Sequence, residues 1–302
     1  MFEKIGDYND AAIQAQESQY QKGMSLFAAG DYDGATTTFE GISNYSDAAT
    51  QAQESQYQKG MTLYLEGDYM SAYLVFRDLS GFRDVDNLLQ IDDNLISAAF
   101  SVQYEVGNIV TFGSYEQDNN TVNGMEPIEW IVLDNDGIMA TLISKYGLDT
   151  QPYNLEKMGV TWENCTLRNW LNVDFLNTSF TAEELDMITT VKVKADKNPE
   201  FDINPGNDTQ DKVFLLSIDE VNQFFESNNI RVCVPTKTAV KNGMLASESD
   251  SCWWWLRTPG DFAFYAALVD EGGSVSNCGS SVNLVNGAVR PVVVLRCSGA
   301  KH

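Results

Sequence analysis

The sequence predicts an α+β chain in two parts: N-terminal α-helical hairpin repeats over about 1–90, then a strand-rich domain over 106–297. Three observations predict it. A 37-residue repeat fills the first part. The apolar pattern changes from helical spacing to short alternating runs near residue 106. Helix-capping signatures then punctuate those strands rather than replace them. A length of 302 residues suits about two domains.

The repeat is direct. Tyr8-Asn9-Asp10-Ala11-Ala12 returns as Tyr45-Ser46-Asp47-Ala48-Ala49, and weakly as Phe82-Arg83-Asp84-Val85. The run Gln14–Met24 is copied at Gln51–Met61, Gly30-Asp31-Tyr32 at Gly67-Asp68-Tyr69, and Ala35…Phe39 at Ala72…Phe76. Each unit reads as helix, Gly-Asp-Tyr turn, helix and a short link. Small Ala and Gly let paired helices approach, and Tyr, Leu and Phe fill the seam between stacked units. In this register Phe2-Glu3-Lys4-Ile5 aligns with Phe39-Glu40-Gly41-Ile42. The expectation is a chain that opens in the last turn of an earlier unit, as a piece of a longer protein. The units resemble the tetratricopeptide class of helical hairpin repeats, which implies a possible protein partner on this arm. Residues 91–105 read as a connecting helix or linker.

From Val106 the elements follow in order. Ile109–Phe112 reads as a strand. Ile128–Leu133 and Ile138–Ile143 flank the turn signal Asp134-Asn135-Asp136-Gly137 and predict a hairpin. Leu167–Leu171 reads as a short helix, and capping boxes open helices at Thr181 and Ser217. Strands return at Trp253–Leu256, Ala266–Val269 and Val289–Leu295. The Trp253-Trp254-Trp255 run is assigned mainly to the core, and Arg257 and Arg290 to structural pairing with carboxylates or carbonyls.

Composition excludes several functions. The 19 Lys+Arg against 43 Asp+Glu give a net charge of −24, the wrong sign for a nucleic-acid partner or an anionic lipid surface. No run approaches the length of a membrane-spanning helix, and no charged-then-apolar leader opens the chain. The single histidine, His302, leaves Ser-His-Asp and Cys-His catalysis and His-ligated metals without their central residue. The five cysteines, Cys165, Cys233, Cys252, Cys278 and Cys297, include no CxxC pair and read as buried free thiols. No cofactor or metal is expected.

Several phrases together carry a family resemblance: Val106-Gly107-Asn108-Ile109-Val110-Thr111-Phe112-Gly113-Ser114-Tyr115, Glu126-Pro127-Ile128-Glu129-Trp130, Leu167-Arg168-Asn169-Trp170-Leu171, Trp254-Trp255-Leu256-Arg257-Thr258-Pro259-Gly260 and Gly287-Ala288-Val289-Arg290-Pro291-Val292. Over 106–297 the chain resembles the bacterial C-type-lectin-fold domains. These include formylglycine-generating-enzyme-like proteins and the variable proteins of diversity-generating retroelements. The resemblance implies a C-type-lectin-like domain whose closing frame encloses a variable, ligand-binding region at about 257–291, in a bacterial or phage protein. The location is left open by these residues, with the cell surface or an extracytoplasmic place expected for the full-length protein.

Within that frame, Ala267, Val269, Val275 and Val282 read as strand framework. Phe262, Phe264, Tyr265, Leu268, Asp270, Ser276, Asn277, Cys278, Ser280, Ser281, Asn283, Leu284 and Val285 form the expected ligand-binding face, for a protein or cell-surface target. Aromatic side chains give large contact area at low entropy cost. Adenine-directed diversification of Asn codons cannot create Lys, Gln, Glu, Met or Trp. Of these, only Glu271 lies between Asp261 and Asn286, against roughly five expected from overall composition. A structural scaffold module is the second reading. A formylglycine-generating-type cysteine oxidase is the third, with Cys278 and Cys297 as its thiols. A calcium-dependent sugar site is disfavoured, because Glu126-Pro127 continues into apolar Ile128.

Overall fold

The structure is a computed structural model that describes residues 3–244 and 250–297, with side chains from residue 11 onward. Phe2 of the expected opening turn and His302 lie outside the described residues. The chain divides into two compact units, one ending at Val102 and one beginning at Gln103. The architecture is mixed α+β: a helical region followed by a β-rich domain. No helix among the described residues is long and apolar enough to cross a membrane.

The helical unit contains α1 (Glu3–Ala28), α2 (Tyr32–Glu40), α3 (Ala48–Glu66), α4 (Tyr69–Arg77), α5 (Val85–Ile91) and α6 (Asp93–Gln103). Its contacts recur at the sequence period. A Cβ on Gly23 would lie 2.6 Å from Phe39 Cε1, and one on Gly60 2.5 Å from Phe76 Cε1. Both glycines therefore exist so that the facing phenylalanine can seat against the helix. The turns at Gly30 and Gly67 take φ of 80° and 83°, and Asp31 and Asp68 cap the following helices by accepting from Gly34 N and Ser71 N. Tyr20 donates to Asp47 at 2.6 Å and Tyr57 to Asp84 at 2.8 Å, fastening each long helix to the start of the next unit. The links turn at Ser46 and Arg83, with matching φ of 50° and 51°. Two apolar clusters follow the same pattern, one built on Ala35, Phe39 and Ala48, the other on Ala72, Phe76 and Val85.

The first copy of the link departs from expectation. Residues 3–10 run on as helix inside α1 instead of turning. A turn there would leave backbone N–H and C=O groups to be satisfied outside the helix. Continued helix satisfies them internally. The 91–105 connection is also mostly helical, with Asp92 accepting from Asn94 N and Leu95 N to start α6.

In the β-rich unit the order is β1 (Ile109–Tyr115), β2 (Glu126–Asn135), β3 (Met139–Ser144), β4 (Asp149–Thr150), α7 (Thr166–Trp170), a π turn at Leu171–Phe175, α8 (Leu176–Ser179), α9 (Ala182–Met187), β5 (Val191–Val193), β6 (Thr209–Asp211), β7 (Val213–Phe214), α10 (Ile218–Phe224), α11 (Asn228–Arg231), α12 (Lys237–Lys241), β8 (Trp254–Pro259), β9 (Tyr265–Val269), β10 (Val275–Ser281), β11 (Ala288–Val289) and β12 (Val292–Arg296). One sheet runs β1-β2-β3-β12-β7 and a second β10-β9-β8-β11-β4, with β5 and β6 paired apart. Both expected capping boxes form, at Thr181 with Glu184 and at Ser217 with Glu220.

The expected single strand Val289–Leu295 is two strands in different sheets. Pro291 has no N–H to continue a ladder. Its carbonyl accepts from Ser144 N at 3.0 Å, and the Arg290 side chain turns inward to donate to Ser144 O at 2.8 Å. The chain thereby passes from β11 in the second sheet to β12 in the first.

Trp254 and Trp255 are fully buried. Their indole N–H groups donate to Arg231 O and Gln151 O. Trp253 packs edge-on against Trp255, with ring centroids 4.7 Å apart, as residues on one side of a strand do. Arg257 is buried with its guanidinium saturated: it pairs with both Glu220 oxygens and with Asp196 at 2.9 Å, and donates to Leu215 O and Lys194 O.

Candidate binding face

The 261–286 segment is built on the edge of the second sheet. β10 is the edge strand and has no buried residue. It pairs with β9 from Val275↔Val269 to Ser281↔Tyr265, with a bulge between Ser276 and Ser280. Ala266, Ala267, Val269 and Val282 point inward and are fully buried, while Val275 is half-buried. All thirteen positions expected in the binding face are half-buried or exposed.

The apolar part of this face is an aromatic cluster. Phe262 and Phe264 lie nearly parallel, with centroids 5.4 Å apart, and both meet Tyr265 edge-on at 5.5 and 5.1 Å. Lys157 Nζ sits 5.1 Å from the Phe264 ring centroid. Phe262 is 51% exposed, Leu284 37% and Val285 62%. Phe262, Leu284 and Val285 are apolar side chains of this segment left open to solvent.

The backbone beneath is held by residues outside the segment. Buried Asn198 donates from Nδ2 to Pro259 O and to Asn277 O, both at 2.8 Å. Buried Thr150 donates from Oγ1 to Val285 O and Gly287 O. Asn154 N donates to Val282 O and Val160 N to Ala263 O. Ala263, between the two phenylalanines, also borders a cleft of about 500 Å³ with Asn154, Met158, Thr161 and Ile203 on its walls. The loop path is thus fixed mainly through main-chain groups, which every side chain provides alike.

Asp270 stands apart from the other expected positions. Its Oδ1 accepts from Gly272 N at 2.9 Å and Ser274 N at 2.8 Å, closing the β9–β10 turn. That carboxylate shapes the hairpin. Asn198, Thr150 and Lys157 were not singled out by sequence reasoning; a lone polar residue in an irregular stretch carries no periodic signal for such a role.

Cys278 is exposed on β10, and Cys297 is buried just past β12, in the other sheet's chain path. Cys165 is buried at the start of α7, and burial pushes its thiol up to about 12, so it stays protonated at neutral pH. Among the described residues one carboxylate group of three, Glu116, Asp118 and Glu126, has oxygens within 4.8 Å of one another. Backbone N–H groups of the same loop already engage it: Gln117 N and Asp118 N donate to Glu126, and Asn120 N to Glu116.

Residues 138–297 match the family model described as Domain of unknown function (DUF6273). The chain belongs to this family. No curated protein and no solved structure matches it. The DUF6273 stretch begins at the β2–β3 turn and contains the whole candidate face. It leaves out the β1–β2 hairpin, although β2 pairs with β3 through Trp130↔Ser144 to Asn135↔Ala140. The folded unit that presents the face is therefore longer at its N-terminal side than the family match.

Proposed function

We propose that this protein is a non-catalytic ligand-recognition module, which presents the 261–286 face on a C-type-lectin-like scaffold to a protein or cell-surface target. One observation carries the reading. The candidate side chains lie at the surface and include an exposed aromatic and aliphatic patch, while Asn198, Thr150 and Asn154 hold the backbone from outside the segment. A surface arranged this way tolerates changed side chains without losing its path. The topology supports the scaffold part: β12 closes the first sheet against β3, and the second sheet is inserted between them in the chain. A diversified variable region at about 257–291 agrees with the near absence of Lys, Gln, Glu, Met and Trp across the face.

Two experiments test it. The DNA around the gene should contain a reverse transcriptase gene and a near-copy of the segment for 257–291 that differs at adenines; absence of both removes diversification from the reading. Fluorescently labelled protein should bind intact bacterial cells, and Phe262→Ser with Val285→Ser should abolish that binding while the fold persists. Equal binding by parent and variant would move recognition off this face.

A further inference from the structure

A second constellation lies away from the binding face. Cys233 and Cys252 face each other across an isolated antiparallel bridge, where Cys252 N donates to Cys233 O at 2.8 Å. Both are fully buried. Their sulfurs converge over the bare face of Gly147: a Cβ there would lie 3.4 Å from Cys252 Sγ and 3.6 Å from Cys233 Sγ. The pair is nevertheless shallow, because Val232 and Val234, on either side of Cys233, are exposed at 36% and 43%.

Beside the thiols sits Arg290, 1% exposed. Its guanidinium lies 5.0 Å from the Trp254 ring centroid and 5.7 Å from that of Phe225. It donates to Ser144 O at 2.8 Å and to Arg231 O at 3.4 Å. Arg257, the other buried arginine, has two carboxylates; among the described residues Arg290 has none. A buried cation without an anion is costly, and a thiolate is the anion this site can supply. The Cys233 thiol donates to Val234 O at 3.8 Å, and its side-chain interaction with Cys252, together with the Arg290 charge, draws it below its ordinary value against the opposing effect of burial. The same interaction raises the Cys252 thiol, with burial and then the Cys233 charge adding to the effect and the Arg290 charge opposing it.

We propose that Cys233 and Cys252 form a redox site, an arginine-backed dithiol that a peroxide converts to a disulfide. The Cys233 thiolate attacks one peroxide oxygen; an S–O bond forms, the O–O bond breaks, and hydroxide leaves and takes up the proton Cys233 gave up. The Cys252 sulfur then attacks the sulfenyl sulfur; the S–S bond forms, the S–O bond breaks, and water leaves with the Cys252 proton. Two thiols and one hydrogen peroxide give one disulfide and two waters, the two electrons passing from sulfur to peroxide. The bond closes the segment between residues 233 and 252, which carries α12, and ties both its ends together beside β8 and β11. Closing that loop raises stability by restricting the unfolded chain.

The test uses the full chain with Cys278→Ser, so that the exposed thiol cannot compete. The protein is titrated with hydrogen peroxide, unfolded in an alkylating reagent, digested without reduction and analysed by mass spectrometry. The expected product is a linked Cys233–Cys252 peptide pair, lighter by two hydrogens and restored by dithiothreitol, while the equally buried Cys165 and Cys297 remain alkylated. The oxidised protein melts higher than the reduced one. In Cys252→Ser the oxidation stops at a Cys233 sulfenic acid that dimedone traps. The proposal is overturned if Cys233 and Cys252 stay free at peroxide levels that oxidise exposed methionines, if Cys165 or Cys297 reacts as readily, or if the link forms only in unfolded protein. Should Cys252→Ser fail to fold, the Cys278→Ser protein alone decides the matter.

Discussion

Replacing Phe262 and Val285 together with serine should leave the β-rich unit folded, whereas Trp255→Ala alone should come close to unfolding it. Full burial of a large apolar side chain is worth about 1.5–3 kcal/mol. Phe262 is 51% exposed and Val285 62% exposed, so about half the phenylalanine term and less of the valine term are lost, roughly 1.5 kcal/mol together. Trp255 is fully buried. Its truncation costs about 3–5 kcal/mol, and the Gln151 carbonyl that accepts its indole N–H adds about 1–3 kcal/mol when left unpaired. At about 2–4 °C per kcal/mol for a domain of this size, the double variant should melt about 3–6 °C below the parent and Trp255→Ala more than about 10 °C below. Tryptophan fluorescence is a clean readout, since all six tryptophans (Trp130, Trp162, Trp170, Trp253, Trp254 and Trp255) fall in the β-rich unit. If the double variant melts as low as Trp255→Ala, the aromatic patch is core, and the reasoning about the face is wrong.

Three further outcomes are expected. Gly60→Ala should destabilise the helical unit by about 1–3 kcal/mol through overpacking against Phe76, more than the gain of about 1 kcal/mol in helix propensity; a rise in the far-ultraviolet circular dichroism melting temperature would refute this. Hydrogen bonds from Tyr20 and then Gln51 hold the Asp47 carboxyl below its ordinary value. A depressed pKa adds stability above the unfolded-state value and loses it as pH falls through the folded one, so the melting deficit of Asp47→Asn at pH 7 should shrink below about pH 4; a deficit constant from pH 7 to pH 2 would contradict it. Arg257→Met should cost about 3–5 kcal/mol by stranding partly buried Glu220 and Asp196. Urea unfolding followed by tryptophan fluorescence measures it, and a shift under about 1 kcal/mol would assign the cluster no structural weight.

The helical repeats were legible because their contacts are written twice. Gly23 with Phe39 and Tyr20 with Asp47 recur 37 residues later as Gly60 with Phe76 and Tyr57 with Asp84, and each joins residues under 30 apart. The β1–β2–β3 strands and the Thr181 and Ser217 caps were readable for a similar reason: alternation and capping are local patterns. The face at 261–286 was visible as a run whose apolar residues fit no single buried side. The sequence by itself thus determined the α+β division and the repeat.

Only the tertiary structure decided the rest. The two-residue strands β4, β7 and β11 have no periodicity to read; they exist because distant partners pair with them, as Ala288 does with Thr150 and Trp254. The division of Val289–Leu295 between two sheets depends on Pro291 and on where the Arg290 guanidinium finds carbonyls, Ser144 O lying 146 residues away in the chain. Asp270 became a turn residue through Gly272 N and Ser274 N. Cys233 and Cys252, separated by 18 intervening residues without a motif, meet only because an isolated bridge places their sulfurs over a glycine. In each case a buried polar or sulfur group must take whatever partner the packed fold provides, and the identity of that partner is not carried by neighbouring sequence.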